Sequence, residues 1–254
     1  MVDVGLMLLW AAITGGTPLV ILLIPLARDR ISDRLTHLML GLSAGILLGI
    51  SLFDILPESL QQAGTDPSGS RIVGIGAASG FLLLLLVERG LLAAGKKGRG
   101  HFEEGREIRP FGTLAISALA IHGLVDGFVI PLAFEAGAAV GLIVTLAVAL
   151  HQIPDSFAGA SVAVAATQNR RTALGFVLAT AVDTPIGIAV GSAFVTATTA
   201  WLALGLAFCA GTFLFVSAAD LIPELQHRAR SLLVTGSIFA GFGVVVGLTL
   251  LLPA

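Results

Sequence analysis

Eight times along the chain a run of about 20 or more mainly apolar residues recurs, and this spacing limits the fold more than any motif does. The runs cover approximately residues 4–27, 36–60, 71–94, 111–134, 138–166, 172–196, 200–225 and 231–252. In hydrocarbon a segment has to satisfy its own backbone N–H and C=O groups, so each run is predicted to be a helix. Of the 254 residues, 56% are hydrophobic and 12% charged, with a mean hydropathy of +0.98. That is too little charge to cover a soluble surface of this size. The 31 glycines suit helices that approach closely in lipid. The predicted fold class is therefore an all-α polytopic membrane protein, eight transmembrane helices in one domain over residues 1–254. The segment from Met1 to Pro25 has Asp3 in place of a basic leader and reads as the first span, not a removable signal.

Charge placement gives an independent expectation. Arg28, Arg30 and Arg34 follow the first span, and Arg89, Lys96, Lys97, Arg99, Arg106 and Arg109 surround the third connection, residues 95–110. Arg170 and Arg171 follow the fifth span, and Arg228 and Arg230 the seventh. Only Arg71 falls on an even-numbered connection, so 13 of the 14 basic residues share one side. The positive-inside rule makes that side cytoplasmic and places both termini outside. A net charge of −2 without a basic patch excludes nucleic acid as a partner, and the single cysteine, Cys209, excludes disulfides and thiolate clusters.

Two segments echo each other. Ser51-Leu-Phe-Asp54-Ile-Leu-Pro57-Glu58 in the second span resembles Ser217-Ala-Ala-Asp220-Leu-Ile-Pro223-Glu224 in the seventh. With the topology above the second span runs outward and the seventh inward, so their acidic ends sit at opposite membrane faces. That is the signature of an inverted repeat, a feature of transporters.

Ionisable residues in mid-span are costly and call for a functional reading. His122 and Asp126 lie halfway along the fourth span, and His151 and Asp155 halfway along the fifth. Each pair has i,i+4 spacing, which puts both side chains on one helix face. Two imidazoles and two carboxylates offer four N/O donors suited to Zn²⁺ or a similar ion, and the carboxylates balance its charge. A single His–Asp pair is explained as well by helix-to-helix bonding. Two pairs at equal depth, with Pro154 inside one and freeing the carbonyl of Leu150, favour a metal.

These residues resemble the ZIP (Zrt/Irt-like) family of metal transporters. His122-Gly123-Leu-Val-Asp126 is similar to the family's fourth-helix motif, and His151-Gln152-Ile-Pro154-Asp155 to its fifth. Gly41 to Gly45 with Leu56-Pro57-Glu58, and Ala210 to Val216 with Asp220 to Glu224, resemble its second and seventh helices. The resemblance implies a 3+2+3 helix arrangement with an inverted repeat, metal moved into the cytoplasm across a plasma or inner membrane, and a homodimer. It also implies alternating access in which the second, fourth, fifth and seventh helices move against the rest.

The chain departs from that pattern where relatives often hold a second metal. The matching positions are Gly123, Gln152 and Thr184, which provide no carboxylate, so one metal is expected. Asp183 sits one residue from the family's sixth-helix acid, and three uses are open to it: approaching the metal, accepting a proton, or bonding to Thr180 or Thr184. Gln152 is a weak neutral candidate at the same place. The loop carries one histidine, His101, where many relatives have a histidine-rich stretch.

Asp54 and Glu58 are candidates for the entrance, and Asp220, Glu224 and His227 for the exit; contact with interfacial water is the preferred explanation of Glu58, Glu224 and His227, and for Asp54 and Asp220, one turn deeper, the two readings are even. The expected function is transmembrane transport of a divalent ion, Zn²⁺ or else Fe²⁺, Mn²⁺ or Cd²⁺, as substrate, with the lipid bilayer as surroundings. A metal sensor on a degenerate transporter scaffold and an intramembrane zinc hydrolase are the alternatives. The hydrolase lacks an obvious general base and is set below the non-enzyme readings.

Overall fold

The computed structural model describes residues 4–27, 33–64, 66–97, 123–167, 170–195, 199–228 and 231–251, and every extended element among them is helical. They are α1 (Val4–Ala27), α2 (Asp33–Ile50), α3 (Leu56–Ala63), α4 (Pro67–Lys97), α5 (residues 123–136), α6 (Ala138–Thr167), α7 (Arg170–Phe194), α8 (Thr199–Leu214), α9 (Ile222–Arg228) and α10 (Leu232–Leu251). A π-helical turn, Ser51–Ile55, joins α2 to α3 without a break, and another, Phe215–Leu221, joins α8 to α9. The described residues thus form eight continuous rods. Expectations placed on residues 98–122, including His101 and His122, lie outside the described residues.

Small residues determine how the rods meet. Gly41 of α2 faces Ser237 of α10, Gly45 faces Ile238 and Phe242, and Gly49 faces Val245. Residue numbers rise together along this seam, so the two helices run parallel. The same holds for α4 and α8, where Gly76 faces Leu204 and Ala207 and Gly80 faces Phe208. It holds again for α5 and α7, where Gly127 meets Thr184 and Gly187, and Gly191 meets Phe128 and Pro131. By contrast α3 packs on α8 while α2 packs on the π-turn that follows α8, so the second and seventh rods are antiparallel. Ser59 Oγ donates to the Ala203 carbonyl at 3.1 Å across that contact. Parallel pairs of equal parity and an antiparallel pair of unequal parity are what alternate crossing of a slab requires.

Polarity is distributed inside out. The exterior carries large apolar side chains, among them Val20, Ile75, Leu82, Leu86, Phe239 and Leu250, each more than half exposed. The interior holds Asp54, Glu58, Asp126, Gln152, Asp183 and several hydroxyls. Water would reverse this arrangement, whereas lipid favours it. Among the described residues, the stretches His37–Ala63, Pro67–Gly90, Ala200–His227 and Leu232–Leu251 are long and apolar enough to cross a membrane. The first and third are mostly buried and the other two mostly exposed, so the second and seventh rods lie inside and the third and eighth outside. The fold is that of a multi-pass all-α membrane protein. Buried hydroxyls bond back along their own helices, as Thr14 does to the Trp10 carbonyl at 2.8 Å and Thr145 to that of Gly141 at 2.6 Å.

Candidate metal centre

Of the four expected ligands, Asp126 is described in full. It projects from α5 and is 3% exposed. His151 and Asp155 fall on the α6 backbone, with side chains outside the described residues, as is the whole of His122. Gly137 alone separates α5 from α6, and Phe134 folds back over Gly141. The two helices that carry the expected ligands are therefore consecutive and close at that end.

Gly123 of α5, Gln152 of α6 and Thr184 of α7, the three positions that provide no carboxylate, converge at Asp183. Gln152 of α6 donates from Nε2 to Thr184 Oγ1 of α7 at 3.0 Å. The Thr184 hydroxyl donates in turn to Asp183 Oδ1 at 3.2 Å, and the Thr184 backbone N–H reaches the same oxygen at 2.6 Å. Of the three uses open to Asp183, bonding to Thr184 is seen; the Thr180 side chain lies outside the described residues. Gly123 of α5 lies opposite the Asp183 carboxylate, where an added Cβ would come within 2.5 Å of its oxygens. The absent side chain at Gly123 and the acid at Asp183 are thus complementary: one makes room for the other.

Local chemistry explains why α7 presents this group. Pro185 lies inside α7, removes one backbone donor and clashes with the preceding turn. The carbonyl it leaves without that donor, Ala181 O, faces Gly15 of α1, where a Cβ would stand 2.8 Å away. The missed signal was this pairing of small residues with polar ones on other helices. A glycine in a motif position gives no hint of its partner until the helices are assembled.

The acidic ends differ from each other. Asp54 lies in the first π-turn, and Thr249 Oγ1 of α10 stands 3.1 and 3.0 Å from its two oxygens. Glu58 is 6% exposed and accepts from Gln62 Nε2 at 2.7 Å. Asp220, Glu224 and His227 at the corresponding end of the seventh rod are exposed. The two echo segments coincide with the two π-turns. In each, the residue before proline donates its N–H five residues back to the serine carbonyl, Leu56 to Ser51 and Ile222 to Ser217. Such turns often occur at functional sites.

Comparison with known proteins agrees with this architecture. A family model described as ZIP Zinc transporter matches residues 92–249. The zinc transporter ZupT of Corynebacterium glutamicum is 29% identical over 237 residues, covering 88% of this chain and 90% of that protein. The human zinc transporter SLC39A7 is 29% identical over 140 residues, 51% of this chain and 29% of its own length. Mouse zinc transporter ZIP10 is 31% identical over 136 residues, 50% of this chain and 16% of its own. The chain therefore spans nearly the whole of the bacterial relative but less than a third of these two mammalian ones.

Proposed function

Because the chain belongs to the ZIP zinc transporter family, we propose that it carries Zn²⁺ across a membrane through one midplane site of His122, Asp126, His151 and Asp155. The observation that carries this reading is Asp126, a buried carboxylate on a helix whose surroundings combine an apolar exterior with a polar interior. An acid in that position requires a compensating cation or donor. Membership of a transporter family sets the hydrolase reading aside.

Eight crossings with both termini outside, a 3+2+3 arrangement, a homodimer, and movement into the cytoplasm across a plasma or inner membrane complete the proposal. The parallel and antiparallel rod pairs support alternate crossing, and the paired π-turns support an inverted repeat. Asp54 and Glu58 would meet the ion on one side, and Asp220, Glu224 and His227 release it on the other. Fe²⁺, Mn²⁺ and Cd²⁺ are alternative substrates, since N/O ligand sets overlap.

Uptake of Zn²⁺ into proteoliposomes tests the reading. The wild-type chain should show saturable uptake, and Asp126→Ala and Asp155→Ala should each lower it at least about tenfold, the loss of one good charged ligand. Binding without flux under any gradient would instead favour the sensor, which the lack of acids at Gly123, Gln152 and Thr184 makes the second reading.

A further inference from the structure

Two parallel helix pairs leave a recess between them. Glycines bring α5 against α7 and α4 against α8. Among the described residues α7 also packs on α1 and α6, and α4 on α3, while no comparable seam joins α7 to α4 or α8. In that gap lies a cavity of about 520 Å³. All four helices line it, with Phe128 and Leu132 from α5, Val190 from α7, Ser79 from α4, and Trp201 and Phe208 from α8.

The floor and the mouth differ in exposure. Leu132 is 3% exposed and reaches across to Gly205 of α8, where an added Cβ would stand 2.6 Å from its Cδ2. Val190 and Trp201 flank the mouth and are 46% and 63% exposed, so the recess opens sideways onto the lipid-facing exterior. Side-chain polar groups in the described lining are confined to the Trp201 indole and the Ser79 hydroxyl. The hydroxyl is satisfied within its own helix, donating to the Gly76 carbonyl at 2.8 Å. Apolar cavities of this kind stay dry and take apolar ligands.

The recess also has a direction. Trp201 sits in the first turn of α8, a level where indoles meet lipid headgroups. Phe208 lies about 10 Å deeper at 1.5 Å per residue, within the hydrocarbon of one leaflet, which is about 15 Å deep. Spread over that depth, 520 Å³ gives a cross-section of about 50 Å², less than the roughly 80 Å² of a helix about 10 Å across. A helix from a second copy is too wide for it, whereas an extended hydrocarbon chain is not.

We propose that one acyl chain of a bilayer phospholipid lodges in this recess, with its headgroup beside Trp201 and its chain against Phe128, Leu132 and Phe208. The sideways opening admits the chain directly from the leaflet, and the lining matches its chemistry. The site is separate from the ion path and stands whichever ion is carried.

Phosphatidylcholine with a photoreactive diazirine in mid-chain, built into proteoliposomes, tests this by peptide mass spectrometry after illumination. Adducts are expected on Leu132 and Phe208 inside the recess as well as on Leu82, which is exposed on the exterior. Adducts on Leu82 without any on Leu132 or Phe208 would overturn the proposal, whether a second copy or another segment of the chain fills the space. Val190→Trp at the mouth and Ser79→Phe on the α4 wall narrow the recess. Each is expected to lower the Leu132 adducts about tenfold, the scale of one overpacked side chain, and to leave those on Leu82 unchanged. The thermal midpoint reports that the variants are folded, and the wild-type result decides by itself if one is not. Undiminished Leu132 adducts in both folded variants would contradict the proposal.

Discussion

At the residue scale the centre depends on side chains that are absent as much as on those present. Gly127 of α5 and Gly187 of α7 let two backbones touch, and a Cβ at Gly127 would fall on the Thr184 carbonyl. Gly127→Leu is therefore expected to push α5 from α7 and lower stability by about 1–3 kcal/mol, the usual cost of overpacking. The thermal midpoint in detergent reads this directly, and an unchanged midpoint would show that the seam is not close-packed. The i,i+4 spacing of the His–Asp pairs was legible because helix geometry alone decides which side chains share a face. The seat that Gly123 makes for Asp183 was not, because it exists only between two helices distant in sequence.

At the element scale the two π-turns are the informative feature. The Ser-x-x-Asp-x-x-Pro-Glu echo was visible in the residues, but its geometry was not. Proline forbids one regular helical bond, and whether the helix then kinks, breaks or widens depends on its neighbours. Here both copies widen by one residue and keep the rod continuous. In the first, the Thr249 hydroxyl has one proton to share between Asp54 and the Val245 carbonyl, 3.0 Å away. Thr249→Val removes it from a buried carboxylate and should cost about 1–3 kcal/mol, readable as a lower melting temperature; Thr249→Ser should restore most of the loss.

The turn into α4 offers a separate check. Asp66 accepts hydrogen bonds from the Ser68 hydroxyl and from the Gly69 backbone at 3.3 Å, and the first of these, ahead of the second, holds its carboxyl below the ordinary aspartate value. A depressed value in the folded state means that the cap contributes above the ordinary aspartate pKa and is lost as pH falls through the lowered one. Ser68→Ala should move the Asp66 titration back toward the ordinary value, as followed by carboxylate NMR.

At the scale of the whole molecule, the helical class and the membrane surroundings were legible. A chain with this little charge cannot cover a soluble surface, and lipid leaves the backbone no alternative to self-bonded helices. The unequal exposure of the two acidic ends was not legible, because matching motifs predict matching surroundings. Asp54 and Glu58 are buried, whereas Asp220, Glu224 and His227 are exposed, so the two acidic ends differ in accessibility. The only cysteine, Cys209, is buried, which makes labelling straightforward. Cysteines placed at Glu224 and His227 should react quickly with a charged thiol reagent from one side of the membrane, and one at Glu58 slowly from either. Equal rates at both ends would contradict the asymmetry.

In the proposed mechanism α5 and α6 carry a single transported ion at mid-membrane. An anomalous-scattering map of Zn²⁺-soaked crystals tests it most directly. One peak is expected between those helices, within bonding distance of Asp126. Two peaks there, or none at that depth with metal bound elsewhere, would contradict it.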